Sequence, residues 1–207
     1  MSELSGLWNS LSGERRGAWG QLAANVPSRH SLGQSGPLDG ILLFKKINSV
    51  LRTCGRELLL DPPPPPAFGP NPVEGFIVRE HKGGIALKVK LSPHLPWDDR
   101  PAHEDLMVFA WAPCNAGVAR NALYAFLGLL PAPAKGESDF TQLYLNKLKQ
   151  WRKLKHRRYH LPLEGSRLFL RVLQQANGWK NELGMFQANA LTPARKWPRY
   201  SDKRAEK

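Results

Sequence analysis

Cysteine is scarce in this sequence, with only Cys54 and Cys114 among 207 residues. Two cysteines are too few for the disulfide framework that supports small secreted domains. A chain of this length can bury a hydrophobic core without cross-links. We therefore expect two buried, reduced thiols, which are typical of a cytoplasmic protein.

Long apolar segments are also absent. The most apolar stretch, residues 122–134, is too short and too interrupted by proline to cross a bilayer. The first eight residues include Glu3 and no apolar core of the kind found in signal peptides. The sequence therefore predicts no signal peptide and no membrane partner.

Acidic residues are few, since 17 Asp and Glu face 30 Lys and Arg, which gives a net charge of +13 and a pI near 10.1. The excess is concentrated in two segments. Residues 147–160 hold seven basic and no acidic residues, and residues 195–207 hold six basic and two acidic ones. Such local charge favours a polyanionic partner, whereas the rest of the chain is nearly neutral.

Established catalytic motifs are missing as well. The sequence has no phosphate-binding glycine loop and no nucleophile elbow, so we expect no enzymatic activity, no cofactor and no metal. One alternative is a metal-dependent hydrolase built on the loop 92–105, because imidazole and carboxylate groups suit several divalent metals. The candidate ligands in that loop are His94, Asp98, Asp99, His103, Glu104 and Asp105.

Apolar residues at helical spacing predict two helices in residues 1–60. The first should begin after Ser12, a suitable N-cap, and end before Pro27. The second should have Pro37 at its first helical position and end at Gly55. Both helices are too short to be stable alone, so we expect them to pack on each other or on a protein partner.

Residues 61–72 include seven prolines and predict a stiff, extended linker of the polyproline II type. A ligand for an SH3-type or WW-type groove is the alternative interpretation of the same residues. Because the hydrophobic period changes across this segment, we expect residues 68–194 to fold without the helical unit.

After the linker the hydrophobic period changes to two. Ile85, Leu87, Val89 and Leu91 alternate with Lys88 and Lys90, which is typical of a half-buried strand. Six such runs (74–80, 84–92, 105–112, 121–130, 166–175 and 184–192) predict an antiparallel β-sandwich over 73–194. A helix capped by Ser138 is expected at 138–160, so the predicted fold class is α+β, mainly β.

Two resemblances accompany these patterns. Residues 166–193, with Asn177-Gly178 between two strands, resemble the last hairpin of fibronectin type III and immunoglobulin-like sandwiches. More widely, the chain resembles uncharacterised proteins of bacterial prophages and mobile elements in Trp8, Leu11, Glu14 to Arg16, Trp19, the motif FKKIN at 44–48, the proline run and QQANGW at 174–179. The second resemblance implies an accessory role in a virion or mobile element, in the cytoplasm or associated with the virion.

The two basic segments are the predicted binding site. Trp151 and Trp197 lie among their Lys and Arg residues, where an indole could stack on unpaired bases or anchor the segment to the protein core. We expect a non-enzymatic structural or binding protein of a phage-like particle, with a sequence-independent nucleic-acid-binding protein as the alternative. The candidate residues are Lys147, Lys149, Trp151, Arg152, Lys153, Lys155, Arg157, Arg158, Arg195, Lys196, Trp197 and Arg199.

Overall fold

The computed structural model describes residues 3–27, 36–81, 84–93, 104–111, 114–115, 124–153 and 166–188. Three helices are followed by two antiparallel sheets of three and five strands with one inserted helix, which confirms the predicted α+β class. The chain divides into two compact units, Met1–Phe68 with Gln175–Lys180, and Gly69–Gln174 with Asn181–Lys207. The elements are α1 (Glu3–Ser10), α2 (Gly13–Ala24), α3 (Gly40–Thr53), β1 (Val73–His81), β2 (Gly84–Leu91), β3 (Glu104–Ala110), β4 (Cys114–Asn115), β5 (Ala125–Leu129), β6 (Glu137–Asp139), α4 (Thr141–Lys153), β7 (Ser166–Ala176) and β8 (Trp179–Ala188).

The predicted start is confirmed for the first of the two N-terminal helices and is wrong for the second. Ser12 is the N-cap of α2, as predicted, and its hydroxyl accepts a hydrogen bond from the backbone N–H of Arg15 at 3.3 Å. Pro37 is not in the first turn of α3, because that helix begins only at Gly40 and Pro37 instead forms a bridge with Pro27. The short helix α1 was not predicted as a separate element.

The C-terminal end of α3 confirms the predicted stop at Gly55. Gly55 has a φ of 69°, and its N–H donates to the carbonyl of Arg52 at 3.1 Å. The N–H of Arg56 donates to the carbonyl of Leu51 at 2.9 Å. These two bonds form a Schellman motif, which uses the tolerance of glycine for positive φ to end a helix. Cys54, the C-cap, is half-buried rather than buried.

A separate hydrophobic core holds the helical unit together. Trp19 is fully buried and packs edge-on against Phe44, with 5.3 Å between ring centroids. Gly40 permits close packing of α2 and α3, since a Cβ there would lie 2.9 Å from the backbone N of Gly20. The buried apolar members are Leu11, Trp19, Ala23, Leu43, Phe44, Ile47 and Leu51.

The chain that leads into the proline segment is bonded to this helical core. Asn48 is fully buried, and its side chain donates to the carbonyl of Leu59 at 3.0 Å and accepts from the N–H of Leu59 at 2.8 Å. The indole N–H of Trp19 donates to the carbonyl of Leu60 at 2.8 Å. These bonds satisfy backbone groups that have no secondary-structure partner, so the segment begins from a fixed position.

All six predicted strand runs overlap a strand of the structure. The three-stranded sheet has the order β1-β2-β6, and the five-stranded sheet has the order β4-β7-β3-β5 with β8 paired to β7. Asn177 and Gly178 join β7 to β8 with φ values of 47° and 82°, as a tight hairpin turn requires. This turn starts β8 at Trp179, five residues before the predicted run.

The second unit has its own hydrophobic core between the sheets and α4. The predicted alternation in β2 is confirmed, since Ile85, Leu87, Val89 and Leu91 are all buried members of this core. Ser138 does not cap α4, because it pairs with Val89 as part of β6. The remaining members are Leu106, Val108, Ala110, Leu130, Phe140, Tyr144, Leu148, Trp151, Leu168, Leu170, Val172 and Leu183.

The five-stranded sheet is buried on both faces of its central strands. Leu106 and Val108 in β3 belong to the core, whereas Met107 alternates with them and is still only 2% exposed. On β7, Phe169 is buried and packs against Trp111, with 5.3 Å between ring centroids. This burial of both faces matches the sequence of β3, in which apolar residues follow one another from Leu106 to Ala110 without polar residues between them.

Within the described residues, no helix has the length and apolar character needed to cross a bilayer.

Deleting the helical unit tests the independence of the second core. We expect the fragment 68–194 to retain a folded core, because no buried member of that core comes from the first 68 residues. We also expect its hairpin tip to be exposed, since Trp179 packs against the core of the helical unit. Dispersed amide signals together with increased binding of a hydrophobic dye would fit both expectations. A fragment without amide dispersion would contradict the first.

Candidate anion-binding helix

Helix α4 carries the described part of the basic segment. Its thirteen residues include four cations and no acidic residue. The helix begins at Thr141, whose backbone N–H donates to the carboxylate of Asp139 at 2.9 Å. The four cations lie between Lys147 and Lys153, and two of them, Arg152 and Lys153, are in the last turn, where the dipole of the helix favours positive charge.

The apolar face of α4 fixes the helix to the core of the second unit. Tyr144, Leu148 and Trp151 are buried at the four-residue and three-residue spacings of a helix, and Phe140, directly before α4, is buried with them. Tyr144 and Trp151 pack edge-on with 6.3 Å between ring centroids. This packing leaves the orientation of α4 well defined as far as its last turn.

The approach of α4 to β5 depends on a glycine. A Cβ at Gly128 would lie 3.0 Å from the Cδ2 atom of Leu143, and the φ of Gly128 is 155°. A larger residue at 128 would push against α4. Gly128 thus helps to set the distance between the sheet and the basic helix.

The two lysines of α4 with described side chains face solvent to different degrees. Lys149 is exposed and Lys147 is half-buried. Among the residues that the structure describes, no carboxylate forms an ion pair with either ammonium group.

Several cations elsewhere in the chain form ion pairs with carboxylates. Each of these pairs joins a basic and an acidic side chain that are distant in sequence. The pairs are Arg15–Asp61 at 2.9 Å, Arg52–Glu3 at 3.1 Å, Lys88–Glu137 at 2.8 Å and Lys90–Glu74 at 2.7 Å.

Lys90 shows the electrostatic effect of this pairing. A hydrogen bond from its ammonium group to Glu74, followed by the attraction of the Glu74 charge, raises the pKa of Lys90 above its ordinary value. The charged form is thereby stabilised and its positive charge is locally balanced. Both alternating lysines of β2 therefore have a carboxylate partner on a neighbouring strand.

Trp151 is 9% exposed and belongs to the core of the second unit. This burial supports an anchoring role for its indole ring. Stacking on a nucleic-acid base requires an open ring face, which a core position does not offer. Base stacking by Trp151 stays a prediction that a substitution can test.

The other predicted site residues fall partly or wholly outside the described residues. Arg152 and Lys153 belong to α4, but their side chains are not described. The remaining candidates lie outside the described residues: Lys155, Arg157, Arg158, Arg195, Lys196, Trp197 and Arg199.

Of the six candidate ligands in the alternative metal loop, the structure describes Glu104 and Asp105. A side-chain oxygen of Glu104 accepts a hydrogen bond from the amide of Gln174 at 3.0 Å. In the part of the chain that the structure describes, no group of three His, Cys, Asp or Glu side chains could hold a metal ion. No described geometry therefore favours the hydrolase alternative.

Sequence reasoning missed the acidic partners of β2. Glu137 lies 49 positions from Lys88, in β6, and directly precedes Ser138, which was predicted to cap a helix. Glu74 lies at the bulged end of the β1–β2 pairing, where the register shifts. The sequence did contain a signal for the Lys90–Glu74 pair. Glu74 opens the predicted strand run 74–80, which is adjacent in sequence to the run with the alternating lysines, and opposite charges on neighbouring strands attract.

No protein-family model, curated protein or solved structure matches this chain. Function must therefore be inferred from the packing and charge of the chain itself.

Proposed function

We propose that this chain is a non-enzymatic binding protein that uses α4 and the basic residues after it to contact a polyanion. The observation that carries this proposal is the state of the α4 lysines. Lys147 and Lys149 have no carboxylate partner in the described residues, whereas Lys88 and Lys90 are paired. A helix with four cations and no acid carries a repulsive cost that a bound anion would offset.

Nucleic acid is a better candidate than a membrane surface. An interfacial helix binds lipid by burying its own apolar face among the acyl chains. The apolar face of α4 is already occupied, because Tyr144 and Leu148 lie in the protein core. The exposed side offers Gln142, Asn146 and Lys149, which suit hydrogen bonds and charge attraction to phosphates.

The biological setting that we propose is a phage-like particle or mobile element. Its support is the resemblance of the N-terminal motifs and the QQANGW turn to prophage proteins. We also propose that the second unit is an elaborated immunoglobulin-like sandwich. Two antiparallel sheets that share one core favour that assignment, and the burial of both faces of β3 is a departure from it.

A free nucleic-acid-binding protein is the alternative setting for the same charged surface. Lys147 and Lys149, which pair with no described carboxylate, favour this function as much as they favour a particle component. Sedimentation of the native protein distinguishes the two, because a particle component should move with a large assembly. Slow sedimentation with bound nucleic acid would support the alternative.

The salt dependence of binding tests the proposed contact. Each phosphate that a cation neutralises releases counterions, so with about six contacts the logarithm of the binding constant should fall with log salt at a slope of about −4 to −5. Replacing Arg152, Lys153, Lys155, Arg157 and Arg158 by Gln should flatten the slope and weaken all sequences alike. Fluorescence anisotropy with labelled single-stranded and double-stranded DNA provides the measurement.

Two matched double variants locate the contact on α4. Lys147→Gln with Lys149→Gln should reduce the magnitude of the slope by about 1 to 2. Lys45→Gln with Lys46→Gln removes the same charge from α3, where no described carboxylate pairs with either lysine, and should leave the slope nearly unchanged. Equal effects of the two variants would mean that only net charge matters, which would overturn the assignment of α4.

A further inference from the structure

The proline segment has a defined threefold geometry. Proline fixes its own φ and keeps the residue before it extended, so Asp61 to Pro65, each followed by proline, are restricted to extended or polyproline II conformations. A polyproline II helix has three residues per turn. Residues three positions apart therefore share one edge of the rod.

One edge of this rod is turned towards the helical unit. Pro63 is buried, and Pro66 on the same edge is half-buried. The indole N–H of Trp179 donates to the carbonyl of Pro63 at 3.3 Å. At the start of the rod, the Asp61 carboxylate pairs with the guanidinium of Arg15 at 2.9 Å. The rod is thus held at two points within one compact unit.

The other two edges of the rod face solvent. Pro64 and Ala67 share one edge and are both exposed, and Pro65 is exposed on the remaining edge with Pro62 half-buried. Asp61-Pro62 and Pro64-Pro65 consequently form two outward dipeptides, with the buried Pro63 between them. This is the x-P-x-x-P arrangement, in which the middle residue is free to point away from a partner.

We propose that residues 61–65 are a docking ridge for a protein domain with an aromatic-lined groove of the SH3 type. Four consecutive prolines offer no backbone N–H donor, so a partner cannot recognise them by adding a β-strand. Recognition must use ring faces and carbonyl oxygens. Tyr and Trp side chains supply both a flat apolar surface and a hydrogen-bond donor. Anchoring by Trp179 and Arg15 also lowers the entropy lost on docking.

This docking is independent of the anion-binding function, and the two respond differently to salt. Docking of proline rings into an aromatic groove depends on apolar contact and hydrogen bonds, so its affinity should change little with salt concentration. Binding of α4 to a polyanion should weaken steeply over the same range. Failure of one activity would therefore leave the other intact.

A panel of isolated SH3 domains, labelled with 15N and titrated with the whole chain, tests the docking ridge. We expect shifts in the aromatic groove of at least one domain. Pro62→Ala with Pro65→Ala should weaken that binding by about tenfold or more, because both substitutions fall on the outward dipeptides. Pro70→Ala removes a proline outside the ridge and should change the dissociation constant by less than about twofold.

The stability of the double variant and the effect of Trp179→Phe on docking serve as controls. The double variant should keep the thermal midpoint of the wild type, since Pro63 and its bond to Trp179 are retained. Trp179→Phe keeps an aromatic ring but removes the indole N–H, and it should weaken docking by less than the double variant does. The proposal is overturned if no domain in the panel binds the wild type more tightly than it binds the Pro62/Pro65 variant.

Discussion

Replacing Trp151 by alanine is expected to lower the free energy of unfolding by about 3 to 5 kcal/mol, as is usual when a large buried aromatic side chain is removed. Trp151 is 9% exposed, packs on Tyr144 and belongs to the core between the sheets and α4. Its loss should loosen the last turn of α4. Binding to single-stranded and duplex DNA should therefore weaken by similar factors, which anisotropy and urea unfolding can measure together.

The neighbouring Lys149 supplies the control for this substitution. Lys149 is exposed on the same helical turn, so Lys149→Gln should change the free energy of unfolding by less than about 0.5 kcal/mol. Base stacking makes the opposite prediction for Trp151. An unchanged stability, with a loss of about 1 to 3 kcal/mol confined to single strands, would identify Trp151 as a stacking platform.

Replacing Gly178 by alanine is expected to destabilise the protein by about 2 to 5 kcal/mol, because two costs combine. The φ of Gly178 is 82°, which L side chains rarely adopt. A Cβ there would also lie 2.5 Å from Cγ2 of Ile47 and 2.7 Å from its carbonyl oxygen. The backbone of α3 cannot yield as a flexible side chain could. Thermal and urea unfolding of the whole chain measure this loss.

Gly184 is the matched control in the same hairpin. It lies in β8, and a Cβ at this position would meet no atom within 4 Å. Gly184→Ala should be neutral or stabilising by up to about 1 kcal/mol, since alanine loses less backbone entropy in a strand. If the two alanine variants were equally stable, the hairpin tip would not pack against Ile47 in solution.

Much of the secondary structure could be predicted because its signals are local. Ser12 and Gly55 mark helix ends through their own backbone and side-chain preferences, and the alternation from Ile85 to Leu91 records one buried face of a strand. Prediction failed where tertiary contacts compete with a local signal. Ser138 resembles a helix cap in sequence, but its pairing with Val89 places it in a strand.

The concentration of positive charge in the candidate site could be predicted from the sequence alone. The sequence could not predict which cations form ion pairs with carboxylates. Lys88 pairs with Glu137 at a distance of 49 positions in sequence, and no local pattern brings the two together. The burial of Trp151 likewise depends on where α4 meets the core, since the residues around Trp151 are mostly basic.

By itself the sequence determined the order of helices, proline segment and strands, and it determined that positive charge gathers in residues 147–160 and 195–207. Only the tertiary structure placed the turn at 175–180 in the helical unit and bonded Trp179 to Pro63 across 116 positions. The physical reason is the range of each interaction. Periodicity, capping and charge act within a few residues, whereas packing joins surfaces whose fit depends on the whole folded chain.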